Sequence, residues 1–155
     1  MNAHFLKHAI QLSEEKMQAG LGGPFGALIV KDQKVIAEGW NQVTSSHDPT
    51  AHAEIVAIRK AAEKLATFDL TGCEIYSSCE PCPMCLSAIY WARLSKIYFA
   101  NTRFEAAQIG FDDNFLYEEV SKPIENRLIP TLHIPNSYAQ KVFSDWKNKS
   151  DKILY

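Results

Sequence analysis

The sequence predicts an α/β domain in which a central mixed sheet is covered by helices. Short apolar runs of strand length alternate along the chain with longer segments of helical periodicity. The first two strand candidates are separated by little more than the turn Asp32–Gln33, which predicts an antiparallel hairpin. Further along, strand and helix candidates alternate, which is typical of parallel pairing. A hairpin followed by such units predicts a mixed, layered sheet.

The predicted elements begin with a helix over Ala3–Ala19, where apolar residues recur at helical spacing until a glycine-rich loop ends it. The hairpin strands are Ala27–Val30 and Val35–Trp40, followed by a polar loop over Gln42–Thr50 that we expect to lead into a helix through Asp48 and Pro49. The later elements are a helix over Ala51–Leu65, a strand over Glu74–Ser77, a helix over Cys82–Trp91, a strand over Lys96–Ala100, short helices over Glu105–Ile109 and Phe115–Val120, and a C-terminal helix over Tyr138–Lys147.

Length and charge restrict the classes of protein that fit. A chain of 155 residues predicts a single domain over residues 1–155. Sixteen Lys+Arg against eighteen Asp+Glu give a net charge of −2, which disfavours a nucleic-acid partner and favours a small neutral substrate. No apolar run is long enough for a membrane span, and the first residues lack a secretory pattern, so we expect a cytoplasmic protein without a membrane partner.

Two short motifs carry the chemistry, and each opens a predicted helix. The first is His52-Ala53-Glu54, and the second is Pro81-Cys82-Pro83-Met84-Cys85. In this order they match H-x-E followed by P-C-x-x-C, a pattern typical of zinc enzymes that deaminate nucleobases. Cys82 and Cys85 are three positions apart and can face one point, where helix dipoles favour thiolates.

Three protein ligands suit a catalytic zinc site. His52, Cys82 and Cys85 would leave one tetrahedral position open for water, whereas a structural zinc normally takes four ligands. Zn²⁺ and two thiolates sum to zero charge, so ionising the water requires a nearby proton acceptor. Glu54 is placed for that task beside the metal.

Other interpretations of these residues exist. His52 could be an ordinary core or capping histidine, and the two cysteines could be a redox pair, although a redox pair explains neither His52 nor Glu54. Cys79 could complete a purely structural zinc site, but a role as a small buried apolar residue is sufficient for it, as for Cys73.

Beyond these motifs, several segments resemble one known group of enzymes. They are Gly22–Ala27, Asn41, Asp48–Glu54, Ser78–Cys85 and Ile89–Ala92. On these residues the sequence resembles the cytidine deaminase-like zinc superfamily. Gly110–Asp113, the aromatic-rich tail and the terminal Tyr155 make it similar, within that superfamily, to the small bacterial guanine deaminases.

The resemblance implies a three-layer α/β/α cytidine deaminase-like domain with a central mixed sheet. It implies hydrolysis of a small purine base, guanine, to xanthine and ammonia, a reaction of purine catabolism. One Zn²⁺ per chain would be held by His52, Cys82 and Cys85, and Glu54 would move the proton of the attacking water. Asp113 would be the second proton shuttle, with Asp112 as the neighbour that could be confused with it. The implied substrate-binding residues are Asn41, Phe25, Ala53 and Tyr155.

The resemblance also implies a homodimer in which C-terminal segments of about residues 136–155 are exchanged, so that the last residues close the partner's active site. The sequence is compatible with this arrangement. Apolar residues of the last predicted helix fall on one face, and the chain ends on Ile153-Leu154-Tyr155. Packing of that helix on its own protomer is the alternative.

Two alternative functions follow from the same residues. One is another deaminase of the superfamily, acting on cytosine, on cytidine or on adenosine in tRNA; the net charge of −2 disfavours the tRNA substrate. The other is a non-catalytic, zinc-stabilised module. Glu54 argues against it because a structural metal site needs no acid–base residue.

Overall fold

The computed structural model describes residues 2–154, which form two compact units, residues 2–113 and residues 114–154. The single domain expected over residues 1–155 stays a prediction. None of the helices in residues 2–154 is long and apolar enough to cross a membrane.

The first unit contains five helices and four strands among its described residues. In chain order they are α1 Ala3–Gln18, β1 Gly26–Lys31, β2 Lys34–Trp40, α2 Val43–Ser46, α3 Ala53–Leu65, β3 Glu74–Cys79, α4 Pro83–Trp91, β4 Lys96–Asn101 and α5 Arg103–Gln108. The second unit contains α6 Asn114–Ser121, a short 3₁₀ helix Ile124–Asn126 and α7 Ser137–Asn148.

The four strands form one mixed sheet in the order β2-β1-β3-β4. β1 pairs antiparallel with both β2 and β3, whereas β3 and β4 are parallel. Asp32 and Gln33 form the hairpin turn, both with positive φ, as tight hairpins require. The mixed sheet predicted from the sequence is therefore confirmed.

Helices cover both faces of this sheet, which makes three layers. Leu28, Val30 and Tyr76 point to one face and pack with residues of α1. Ala27 and Ile29 point to the opposite face, where the core also contains residues of α3 and α4. This alternation is the period-two pattern of strands buried on both sides. It confirms the expected α/β/α architecture.

Helix α3 lies unusually close to strand β2, and a glycine permits this approach. A Cβ built on Gly39 would stand 2.1 Å from the carbonyl oxygen of Ala53 and 2.5 Å from the backbone nitrogen of Ala57. Neither backbone atom can move aside easily. The absence of a side chain at Gly39 therefore fixes how the first turn of α3 rests on the sheet.

Several predicted boundaries were wrong by one or two residues for local reasons. α3 begins at Ala53 and not at Ala51, because the Asp48 carboxylate accepts from the Thr50 N–H and hydroxyl at 2.8 and 2.7 Å and so closes a turn of its own. α2 lies within the predicted polar loop. α5 begins earlier than predicted because Thr102 and Glu105 form a capping box.

The second unit exposes an unusual amount of apolar surface. α7 is capped by Asn136, whose side-chain oxygen accepts from the N–H groups of Tyr138 and Ala139. None of the described residues of α6 and α7 is buried. The exposed large apolar residues of this unit are Phe115, Val120, Ile124, Leu128, Ile129, Leu132, Ile134, Tyr138, Val142, Phe143, Trp146, Ile153 and Leu154.

We expect Gly39→Ala to destabilise the protein by about 1–3 kcal/mol, because the new methyl group would overlap the backbone of α3. Chemical denaturation followed by circular dichroism measures the change. Glu38→Ala on the same strand is the control, since Glu38 makes only a partly exposed contact with His8 and should cost less than about 1 kcal/mol. Equal stability of the two variants would contradict the close approach described above.

Candidate functional site

The N-termini of α3 and α4 meet at one point, and each helix begins with a predicted metal ligand. His52 is the N-cap of α3 and Cys82 is the N-cap of α4, both with extended backbone. Neither side chain caps its own helix. Cys85 lies in the first turn of α4 and is buried. The three side chains therefore face each other instead of their own helix ends.

The distances among these side chains fit a tetrahedral zinc ion. His52 Nδ1 lies 3.6 Å from Cys82 Sγ and 3.5 Å from Cys85 Sγ. The three ligand atoms all lie within 4.8 Å of one another. Tetrahedral zinc, with Zn–S of about 2.3 Å and Zn–N of about 2.0–2.1 Å, separates nitrogen from sulfur by about 3.6 Å. Two sulfurs and one imidazole are also the donors that zinc prefers.

The two thiols differ strongly in their electrostatic environment. Hydrogen bonds from the Cys85 thiol and from His52 lower the pKa of Cys82 to about 4. Donation to Cys82 and burial raise the pKa of Cys85. The hydrogen bond with Cys82 also raises the pKa of His52. One thiolate thus forms readily, and a cation is needed to remove the second proton.

Glu54 lies beside the ligands without joining them. It is only 6% exposed, and its two carboxylate oxygens accept from the Ser77 hydroxyl at 3.3 Å and from the Cys85 thiol at 3.4 Å. Burial raises the pKa of this carboxyl group. A carboxyl that is buried, fixed at both oxygens and adjacent to a metal centre can take up and release a proton.

Cys79 and Cys73 do not belong to the ligand cluster. The Cys79 thiol donates to the carbonyl oxygen of Thr102 at 3.8 Å, and burial raises its pKa to about 11. Cys73 lies in the core on the α3 side of the sheet. Among residues 2–154, the group that could hold a metal ion consists of His52, Cys82 and Cys85.

An amide and two aromatic rings lie together around Gly23. Asn41 is 8% exposed, and its side-chain oxygen accepts from the N–H groups of Gly23 at 3.5 Å and Val43 at 3.3 Å. Phe25 makes an edge contact with Phe111 at a centroid distance of 4.8 Å. The backbone N–H of Gln42 donates to the carbonyl oxygen of Ala51 at 2.9 Å. This hydrogen bond joins the residue after Asn41 to the residue before His52.

The structure places the remaining predicted residues as follows. Ala53 is fully buried at the first position of α3, where helix N–H groups have no intrahelical acceptor. Asp113 is partly buried; its charge raises the pKa of His52, and burial and the charge of Cys82 raise its own pKa. Asp112 is exposed. Tyr155 lies outside the described residues.

Sequence reasoning missed two residues of this region. Ser77 holds the Glu54 carboxylate, and Glu80 accepts a hydrogen bond from the backbone N–H of Arg103 at 3.0 Å. A signal existed for Ser77, because two consecutive serines follow the apolar and aromatic residues Ile75 and Tyr76 within one strand. Both Ser77 and Ser78 are buried. A polar group at a core position of a strand requires a partner.

The chain is similar to known zinc-dependent deaminases. Residues 1–101 match the family described as the cytidine and deoxycytidylate deaminase zinc-binding region. A guanine deaminase of Bacillus subtilis is 52% identical over 151 residues, which cover 97% of each chain. A tRNA-specific adenosine deaminase of Aquifex aeolicus is 41% identical over 94% of this chain and 93% of that protein.

A solved structure extends the similarity to the whole fold. The crystal structure of guanine deaminase from Bacillus subtilis superposes with a TM-score of 0.97 at 51% identity, covering 100% of this chain and 99% of the other. Sequence and fold thus agree over the same length. The chain belongs to the zinc-binding family of cytidine and deoxycytidylate deaminases, in the branch that includes the Bacillus subtilis guanine deaminase.

Proposed function

We propose that this protein is a zinc-dependent hydrolase that converts guanine and water into xanthine and ammonia. The observation that carries the reaction type is the buried carboxyl of Glu54 beside three ligand atoms with the spacing of a tetrahedral zinc site. The observation that carries the substrate is the similarity to a guanine deaminase over 97% of the chain. One zinc ion per chain would be held by His52, Cys82 and Cys85.

Bound zinc would supply a Lewis acid that lowers the pKa of water and strengthens it as a nucleophile. Glu54 takes a proton from the attacking water and passes it to a nitrogen of the purine ring. The Ser77 hydroxyl holds one oxygen of Glu54, so the carboxyl stays aimed while its protonation changes. Its raised pKa suits a group that must carry the proton between two steps.

Loss of ammonia requires a second proton on the departing nitrogen, and Asp113 is our candidate donor. Its carboxyl is partly buried, which raises its pKa and favours the protonated form. Its charge raises the pKa of His52, and the charge of Cys82 raises the pKa of Asp113, so these groups interact electrostatically. Asp112, the neighbouring alternative, is exposed.

We propose that the purine lies between the amide of Asn41 and the aromatic surface of Phe25. Because two backbone N–H groups occupy the Asn41 side-chain oxygen, its NH₂ group remains as a donor toward an acceptor on the base. Phe25 offers a flat apolar contact, and Ala53 offers a backbone N–H at the start of α3.

We further propose a homodimer in which the segment of about residues 136–155 closes the active site of the partner. The support is physical: residues 114–154 leave many large apolar side chains exposed, more than a folded monomer normally shows. Tyr155 would contribute to substrate binding from the end of that segment. The enzyme would act in the cytoplasm, in purine catabolism.

Deamination of adenosine in tRNA is the alternative with a specific observation behind it, the 41% identity to a tRNA-specific adenosine deaminase. The net charge of −2 argues against it, because binding a polyanion depends on clustered basic side chains. Cytosine and cytidine remain alternatives of the same chemistry. A non-catalytic zinc module would leave the burial of Glu54 unexplained.

We expect the zinc-loaded protein to release ammonia from guanine. We expect Glu54→Gln to keep its zinc but to lower kcat by about 100-fold or more, because a general acid–base group contributes a rate factor of that size. Assays of ammonia and xanthine, with metal analysis, measure both. Glu63→Gln is the control, because Glu63 is an exposed residue of the same helix. Cytosine, cytidine, adenine, guanosine and tRNA run in parallel; ammonia from one of these but not from guanine would reject the proposed substrate.

We expect Cys85→Ala to lose most of its zinc, whereas Cys79→Ala keeps about one ion per chain, since zinc needs the thiolate of a ligand but not that of a bystander. Both cysteines are buried, so the pair is matched in burial and in the atom removed. Metal analysis after extensive dialysis measures the content. Equal zinc loss in the two variants would place Cys79 among the ligands.

Deletion of Tyr155, or of residues 152–155, should lower kcat/KM for guanine without loss of zinc, because the metal ligands lie outside the tail. Enzyme assays, metal analysis and size-exclusion chromatography with light scattering measure activity, zinc and mass. The Lys149→Ala variant is a tail control in which only an exposed ion pair is lost. Full activity of the shortened chain would exclude a closing role for the tail.

A further inference from the structure

Glu80 connects the loop between β3 and α4, which ends at the proposed ligand Cys82, with the neighbouring strand and helix. It lies between the end of β3 and Cys82 in the sequence. Its backbone N–H donates to the carbonyl of Asn101 at 2.8 Å, and its carboxylate accepts from the backbone N–H of Arg103 at 3.0 Å. Both contacts are made to the segment where β4 passes into α5.

The start of α5 depends on this carboxylate. Thr102 and Glu105 satisfy each other in a capping box, in which the Thr102 N–H donates at 2.7 Å and the Glu105 N–H donates at 3.3 Å. The N–H of Arg103 is another donor of the first turn, for which a helix supplies no acceptor of its own. Glu80 supplies that acceptor with a full negative charge, which the helix N-terminus favours.

Helix α5 leads directly into the loop that carries Phe111 and the proposed proton donor Asp113. Backbone hydrogen bonds from Gly110 to Ala107 at 3.0 Å and from Phe111 to Ala106 at 3.0 Å close its C-terminal turn. Phe111 then packs against Phe25. Asp113 follows two residues later, so a shift at the start of α5 moves all of these groups together.

Glu80 also lies close to the carboxyl of Asp113. Its charge raises the pKa of Asp113, while the charge of Arg103 lowers it.

We propose that Glu80 is a positioning residue, which fixes α5 to the loop between β3 and α4 and thereby places Asp113 at the substrate site. The inference rests on the proposed function, since it assigns Glu80 an effect through Asp113. Glu80 itself takes no part in proton transfer.

The test compares Glu80→Ala, Glu80→Gln and the control Glu74→Ala. Like Glu80, Glu74 is a partly buried carboxylate; it is the first residue of β3, pairs with β4 and lies at the strand end remote from the ligands. The measurements are zinc content, kcat and KM for guanine, and hydrogen–deuterium exchange of the amides of residues 103–113. Asp113→Asn and the double variant Glu80→Ala/Asp113→Asn complete a cycle.

We expect Glu80→Ala to keep its zinc, to lose roughly 10-fold to 100-fold in kcat, as small misplacements do, and to exchange faster at residues 103–113. Glu80→Gln retains an oxygen acceptor and should recover kcat to within about threefold and restore slow exchange. Glu74→Ala should match the unsubstituted protein. The double variant should be no slower than Asp113→Asn, because positioning has no value once the positioned carboxyl is gone.

Unchanged kcat and exchange in Glu80→Ala would overturn the inference, as would zinc loss, failure of Glu80→Gln to recover, or multiplicative losses in the double variant. Failure of the proposed function is visible separately. If the proposed function is wrong, the unsubstituted protein does not turn over guanine. If only the role of Asp113 is wrong, the single variant Asp113→Asn, which retains Glu80, is fully active. In that case the exchange rates alone decide whether Glu80 holds α5.

Discussion

The architecture depends on two helices that begin at the same point with side chains that do not cap them. An N-cap residue normally turns its side chain back onto its own helix. The side chains of His52 and Cys82 instead face each other, with His52 Nδ1 3.6 Å from Cys82 Sγ, in a region beside the first turns of both helices. Such a region favours anions, and here the anions are thiolates. The local stability given up at two helix ends is recovered when a divalent cation joins the ligands.

The region next to these ligands is buried, which disfavours the charged form of a carboxyl group. Glu54 would be costly to bury without partners, because an isolated buried charge is strongly disfavoured. Its two hydrogen bonds reduce the cost but leave its pKa raised. The same burial that destabilises the charged form makes the group useful as a proton carrier. The burial of Glu54 therefore costs folding free energy and at the same time gives the carboxyl the raised pKa of a proton carrier.

The sheet and the metal ligands could be predicted from sequence because both depend on short-range pattern. Short apolar runs defined the strands, and the spacing of His52, Cys82 and Cys85 indicated a common point. The interpretation of Asp48 failed because its carboxylate bonds to Thr50 two residues on and closes a local turn. Thr102 and Glu105 have the sequence pattern of a capping box. Because the prediction did not use this pattern, it placed the start of α5 too late in the chain.

Ser77 and Glu80 could not be assigned from the sequence for a different reason. Their partners, Glu54 and Arg103, are 23 residues away in each case, and only the folded chain brings them together. Spacing rules describe neighbours on one element, whereas these contacts join separate elements. Long-range hydrogen bonds of this kind are therefore where a structure adds most to a motif.

The contact between Ser77 and Glu54 has a consequence for how insertions and deletions are tolerated. Ser77 faces α3 because it shares the parity of Ile75, and the parallel pairing of β3 with β4 locks that parity. Removing a single residue inside β3 would turn every later side chain of the strand to the opposite layer. The turn over residues 66–72 sets no such parity. Homologous chains should therefore vary in length before this strand and hardly ever within it.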